Sequence, residues 1–399
     1  MKWHIIFQAF IRQLYFSRVE VRGADQIPAT GPVLALCLHR NGAVDGFVYR
    51  KVLPQVAFMI KATLRQSLMG KLFFDGLEVA RSEDGGRNGN LEVVEKCVDW
   101  LENGGWLGVF PEGTSGLGPR HFPFKSGAPR IALRHLQDGF PLTVLPLGIH
   151  YERPWAFRSR VEVVIGPSIS LDQLAEVGSS GARLQEVKRR FTEALESVGI
   201  NVPDDPWQEM AQRFAYIATL GTRHSYFAAL KAMEHQLPAE AVKAWENFET
   251  KARGRLLLRH QGVPLFPLRY PWLYAIGTLL LGIPVAVGAL LNAPPLIVAW
   301  WAGWKIPDDR NVITLWRILT GVPLLMIWSF LWVMVGLVFG PWWLPLPYFA
   351  LTYLAVRGWY RLKKLAVVAW NGLFFPGLRS SALKIHRAVL GALNPLLHE

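Results

Sequence analysis

The segment "LALCLHRNGAVDGF" (34–47) sets His39 and Asp45 at the end of a strongly apolar run, six positions apart. A neutral imidazole takes up a proton near pH 7. A carboxylate on its other ring nitrogen fixes the tautomer and stabilises the imidazolium that forms. The pair offers a general base for a hydroxyl if the turn after the run brings the two side chains together. Taken alone, the spacing describes a polar loop after a buried strand better than a catalytic pair.

A second stretch, "VFPEGTSG" (109–116), also follows an apolar run, and "FPFKSGAPRIAL" (122–133) comes soon after it. Pro111 stiffens the entry to this turn and Gly113 allows close backbone approach. Glu112 supplies a carboxylate, Thr114 a hydroxyl and Lys125 a cation. Such a turn suits a small polar or phosphorylated substrate, and the amides near Gly113 or Asn41 are candidates for holding an oxyanion. "GTSGLG" (113–118) lacks the lysine and hydroxyl pair of a nucleotide phosphate loop. His121 and His150 read as structural. Two cysteines, Cys37 and Cys97, make neither a disulfide framework nor a metal site, so no metal is expected.

The elements that must position these residues follow from periodicity. Apolar runs predict buried strands at 33–38, 56–60, 106–110, 142–149 and 160–166. Helical patterns lie between them: Leu91, Val94, Val98 and Leu101 share a face that stops at Gly104-Gly105, and 127–139 repeats the arrangement. Alternating strands and helices give an α/β domain with a mixed or largely parallel sheet. His39, Glu112 and His150 all fall at strand exits, where such sheets bind ligands. Residues 1–20 read as an amphipathic interfacial helix or one packed on the domain, 21–200 as the α/β domain and 201–265 as a helical connector.

Charge then disappears. Residues 271–291 carry none over 21 positions and 318–340 none over 23, each enough to cross a bilayer core. Residues 266–365 are therefore expected to be a transmembrane region and 366–399 a basic cytoplasmic tail. Two shorter runs, 294–304 and 341–356, suit interfacial, re-entrant or short-span segments. Arginines and lysines flank the apolar block, which by the positive-inside rule puts the large domain and the tail in the cytoplasm with an even number of crossings. The net charge of +13 suits anionic headgroups. No nucleic-acid-binding signature competes with that. A transporter would carry charges within its spans, and 271–291 and 318–340 have none.

The chain resembles the glycerolipid acyltransferase superfamily, which includes the glycerol-3-phosphate and lysophosphatidate acyltransferases. Four blocks stand in the family order: His39…Asp45, "FDGLEVAR" with Gly76 and Arg81, "FPEGT" (110–114), and "VLPLGI" with Pro146; "FKSGA" (124–128) adds a fifth match. The resemblance implies a mixed sheet flanked by helices. It also implies transfer of an acyl group from acyl-CoA or acyl carrier protein to a glycerol-phosphate hydroxyl at a membrane, with no cofactor beyond that co-substrate. His39 and Asp45 take the catalytic roles; Arg81, Glu112, Gly113, Thr114 and Lys125 take substrate-binding ones, with Arg81 on the phosphate. Because a thioester is already activated, Cys37 is not needed as a nucleophile. Two departures stand out. The His39–Asp45 spacing is one residue longer than usual and resembles the glycerol-3-phosphate/dihydroxyacetone-phosphate branch. Ser115 stands where the family motif has arginine, leaving Arg120 or Lys125 to replace that cation. Another lysolipid or an amino-acid lipid is the alternative acceptor, and a membrane scaffold the non-enzyme alternative.

Overall fold

The computed structural model describes residues 3–61, 65–79, 82–174 and 177–397. Seven strands, β1 (Arg18–Arg22), β2 (Val33–Cys37), β3 (Ala57–Lys61), β4 (Gly76–Val79), β5 (Trp106–Val109), β6 (Thr143–Tyr151) and β7 (Arg160–Ile165), form one sheet in the order β1-β7-β6-β2-β5-β3-β4. Every pair is parallel except β6 and β7, so the sheet is mixed, as expected. The expectation missed β1 and β4. These are the two edge strands, and an edge lacks the continuous apolar run that marks a strand buried on both faces.

β2 lies at the centre and its alternation assigns the two faces. Val33, Ala35 and Cys37 pack with Ile11 and Tyr15 of α1 (Trp3–Tyr15) and with Val44, Phe47 and Val48 of α2 (Val44–Tyr49). Leu34, Leu36 and Leu38 pack on the other side against α4 (Ser82–Glu102), α5 (Gly127–Gln137) and α6 (Ser180–Val198). A one-residue slip would exchange these sets, and each large side chain contributes about 1.5–3 kcal/mol when fully buried, so the register is fixed. α3 (Leu68–Phe73) completes this part. α1 is packed on the domain, the second of the two expectations for residues 1–20. It is docked by Gln8, which donates to the Phe73 carbonyl (3.1 Å), while Trp3, Ile6 and Phe10 remain exposed.

The connector contains α7 (Asp205–Ala218), α8 (Tyr226–Ala232) and α9 (Ala239–Ala252). Asp204 caps α7 by accepting from the Trp207 amide (2.8 Å). The last helix, α14 (Arg379–Leu397), packs on α7 and α9 and shares their core through Ile385, Val389 and Leu393. The expected separate tail at 366–399 is therefore corrected. Its apolar residues recur at helical spacing, and burying that stripe against the connector removes it from water.

The apolar block makes two helical hairpins. α10 (Pro271–Leu291) and α11 (Ala293–Lys305) form the first, α12 (Ile313–Phe339) and α13 (Pro345–Phe374) the second. α10 and residues 310–339 are each long and apolar enough to cross a membrane. α10 and α13 run antiparallel in close contact: a Cβ on Gly288 would lie 2.5 Å from the Leu351 carbonyl oxygen, and one on Gly358 2.9 Å from Val285. Ile318 and Val322 of α12 belong to the same core as α1 and α2, so the α/β domain sits directly on the second hairpin.

The 305–310 segment, which joins the two apolar stretches, lies beside the α/β domain. Asn311, just after it, donates to the Ser115 carbonyl (2.7 Å), and the Arg310 guanidinium lies 5.7 Å from the Trp155 ring. α11 has 13 residues, a rise of about 20 Å, short of a hydrocarbon core of about 30 Å. α13 has 12 uncharged residues, about 18 Å, before Arg357. The α11–α12 junction thus lies beside the α/β domain, while Val367 and Val368 near the end of α13 belong to the connector core.

Candidate active site

The site is built at the carboxyl ends of the neighbouring strands β2 and β5. The turn after β2 brings His39 and Asp45 together, with Nδ1 of His39 2.9 Å from Oδ2 of Asp45. The same oxygen accepts the amides of Arg40 (2.6 Å) and Asn41 (2.8 Å). The other oxygen accepts the Tyr151 hydroxyl (2.6 Å) from β6. Asp45 is fully buried, and four donors hold its charge without a cation. Because the carboxylate accepts, Nδ1 carries the proton and Nε2 keeps its lone pair.

The turn after β5 supports this pair from the other side. Glu112 is buried, and its oxygens accept the amides of His39 (2.9 Å) and Phe122 (3.1 Å). Burial raises its carboxyl above the usual range, while the His39 and Phe122 amides act in the opposite direction. Glu112 thus ties the two turns together from a buried position. The Phe110 ring stacks on His39 with centroids 4.1 Å apart, and Phe58 stacks on Phe110 at 5.2 Å. His39 opens onto a cleft of about 360 Å³ with Phe47, Phe58, Met59, Phe74 and Phe110 among its walls. The imidazole is thus one wall of a largely apolar cleft.

The other expected residues divide. Gly113 lines the cleft at φ +70°, where Lys125 covers it; a Cβ there would lie 2.6 Å from Nζ. Thr114 is exposed beside them. Arg81 lies outside the described residues. Of the two candidate replacement cations, Arg120 donates to the Val202 carbonyl (3.3 Å) and Lys125 lies over Gly113. Of the amides near Gly113 and Asn41, that of Gly113 itself donates to the Phe110 carbonyl (2.9 Å) and that of Asn41 to Asp45. The amides of Thr114 and Ser115 donate to nothing among the described residues. Ser115 is instead held by Asn311, which donates to its carbonyl and to its hydroxyl (3.0 Å).

Cys37 is buried in the α1/α2 core, and burial first, then Asp45, pushes its thiol well above the usual range. It is no nucleophile. His150 donates Nε2–H to the Val198 carbonyl (2.9 Å) and His121 accepts the Ile200 amide (3.2 Å), the structural roles expected of both. Sequence reasoning missed Tyr151 and Arg50. Tyr151 ends β6, the antiparallel neighbour of β7, and only its alternation along the strand could have suggested an inward hydroxyl. Arg50 lines the cleft from the end of α2 and donates to Gln8 (3.1 Å) and to the Asp75 carbonyl (2.7 Å).

Part of the chain is similar to known proteins. Residues 18–150 match the family model described as Acyltransferase. Over 120 residues the chain is 32% identical to glycerol-3-phosphate O-acyltransferase 2 of Saccharomyces cerevisiae, covering 29% of this chain and 16% of that protein. Over 175 residues it is 28% identical to 1-acyl-sn-glycerol-3-phosphate acyltransferase alpha of Mus musculus, covering 41% of this chain and 59% of that protein. The chain thus spans less than two thirds of either relative. The crystal structure of the 1-acyl-sn-glycerophosphate (LPA) acyltransferase PlsC of Thermotoga maritima superposes with a TM-score of 0.37 and 20% identity, over 49% of this chain and 78% of that one.

Proposed function

From a domain of the glycerolipid acyltransferase superfamily we propose that this chain moves a fatty acyl group from a thioester, acyl-CoA or acyl carrier protein, to a hydroxyl of a glycerol-phosphate acceptor. The observation that carries the reading is the imidazole of His39, clamped through Nδ1 on Asp45 with Nε2 left to an apolar cleft.

In this reading the acyl chain fills the cleft and the thioester carbonyl lies near Nε2. Nε2 takes the proton of the acceptor hydroxyl as its oxygen attacks the carbonyl carbon. Asp45 stabilises the imidazolium. The tetrahedral oxyanion forms beside the uncommitted Thr114 and Ser115 amides. When it collapses, the carbon–sulfur bond breaks, the ester remains, and the imidazolium returns its proton to the leaving thiolate. Lys125 is assigned to the acceptor phosphate, a role shared with Arg81 on the strength of the resemblance.

The apolar hairpins support a membrane setting. We read both as entering the bilayer from the side of the catalytic domain and returning to it, with α1 laying Trp3, Ile6 and Phe10 on the same surface. This places the cleft where acyl chains are. The test is an assay of the purified chain in vesicles with labelled acyl thioester and, in turn, glycerol-3-phosphate, dihydroxyacetone phosphate, lysophosphatidate and other lysolipids. Transfer to a phosphorylated glycerol acceptor that disappears in His39→Ala supports the reading. Transfer to none of them, or full turnover by His39→Ala, defeats it.

A further inference from the structure

A cavity of about 660 Å³ shares no wall with the His39 cleft. It opens between the end of α1, the paired strands β1 and β7, the 219–224 turn and α13. Three carboxylates line it and each is already matched: Glu20 by Arg18 (3.1 Å), Glu162 by Arg22 (2.9 Å) and Glu152 by Arg160 (3.9 Å). Four further cations line it with no carboxylate at ion-pair distance among the described residues: Arg12, Lys51, Arg223 and Arg357. Arg12 and Lys51 donate to the carbonyls of Phe47 and Val19, and Arg357 lies 5.9 Å from the Tyr353 ring. Burial, and then Arg50, lowers the Arg12 guanidinium to about 10; burial, and then Arg12 and Arg18, lowers the Lys51 ammonium. The cluster is short of negative charge.

A second cavity of about 360 Å³ has apolar walls, among them Leu14, Val285, Ile318, Val322 and Val356, and lies between the two hairpins and the end of α1. Sequence neighbours wall the two spaces. Tyr15 lines the apolar one and Phe16 the basic one; Val356 lines the apolar one and Arg357 the basic one. A soluble anion would need only the first space. An amphiphile with a phosphate and an acyl chain fits both, and the helices around the second are those we read as membrane-embedded.

We propose that these adjoining cavities bind one anionic glycerophospholipid, its headgroup phosphate among Arg12, Lys51, Arg223 and Arg357 and an acyl chain between the hairpins. The site is separate from the catalytic cleft. It rests on the membrane reading of the hairpins but not on the assigned chemistry, so its test does not use activity.

The full chain in non-ionic detergent is titrated with phosphatidylglycerol, phosphatidylcholine or inorganic phosphate while its thermal midpoint is followed, since a ligand of the folded state raises it. Phosphatidylglycerol raises the midpoint, and the other two at equal concentration do not. The double variant Arg223→Gln/Arg357→Gln changes two exposed side chains with no carboxylate partners, and its apparent affinity for phosphatidylglycerol falls about 30-fold, the factor for two cations at an anionic lipid surface. Arg253→Gln/Arg255→Gln makes the same charge change away from the cavity and leaves the titration unaltered. Equal affinity in the first double variant, an equal loss in the second, or an equal shift with inorganic phosphate overturns the proposal.

Discussion

The Tyr151 hydroxyl donates to the Asp45 oxygen that His39 leaves free, at 2.6 Å, so β6 takes part in orienting a pair supplied by the turn after β2. Tyr151→Phe removes one hydrogen bond to a buried charge and keeps the ring. A bond of this kind is worth about 1.5–3 kcal/mol. We expect kcat to fall about tenfold or more with KM for both substrates unchanged. A change confined to KM would show that Tyr151 does not act through the pair.

Asp45→Asn tests the clamp itself. The carboxylate accepts from four groups, and an amide at that position turns a donor towards at least one of them. Steady-state kinetics should show a loss of about 10³–10⁴ in kcat, the scale seen when a base loses its orienting carboxylate. Near wild-type kcat in a folded variant would remove Asp45 from the mechanism.

Ser115 and Asn311 make a graded pair. Ser115→Ala keeps the bond from Asn311 to the backbone carbonyl, whereas Asn311→Ala removes both bonds. Because the turn carries the amides assigned to the oxyanion, kcat should fall several-fold in Asn311→Ala and little in Ser115→Ala, since each neutral bond is worth about 1 kcal/mol. The reverse order would show that the hydroxyl, and not the anchoring of the turn, matters.

Stability should fall on acidification through buried histidines. Burial holds His150 and His260 at about 3 and His121 at about 2, against 6.5 for an ordinary imidazole. Below about pH 6.5 the unfolded chain gains protons that the fold refuses, so stability present above that pH is lost as pH falls towards 3. The slope is about 1.4 kcal/mol per pH unit for each histidine. His150→Gln, which can still donate to the Val198 carbonyl, should reduce the difference in unfolding midpoint between pH 7 and pH 5. An unaltered difference would show that His150 takes up a proton in the fold.

The hairpin layout predicts a labelling pattern. Cys37 and Cys97 are both buried, so a cysteine at Asp308 should dominate the reaction with an impermeant maleimide. In sealed vesicles it should react from the same side as a cysteine at the exposed Gln185 of α6, which reports the catalytic domain. Reaction from opposite sides would mean that the segment crosses the bilayer.

Sequence by itself determined what depends on local pattern. Runs of apolar residues marked the strands buried on both faces, charge-free stretches marked the helices long enough to cross a membrane, and a family resemblance carried by His39, Asp45 and the 110–114 turn marked the site. Tertiary structure decided what depends on partners distant in the chain. The edge strands β1 and β4 are strands because β7 and β3 pair with them. Residues 379–397 are a docked helix and not a tail because α7 and α9 offer an apolar face. Glu112 turned inward because two amides, one of them 73 residues away, supplied the hydrogen bonds its buried carboxylate requires. Tyr151 reached Asp45 across 106 residues, a contact that no local pattern encodes, because it depends on which strand lies beside which.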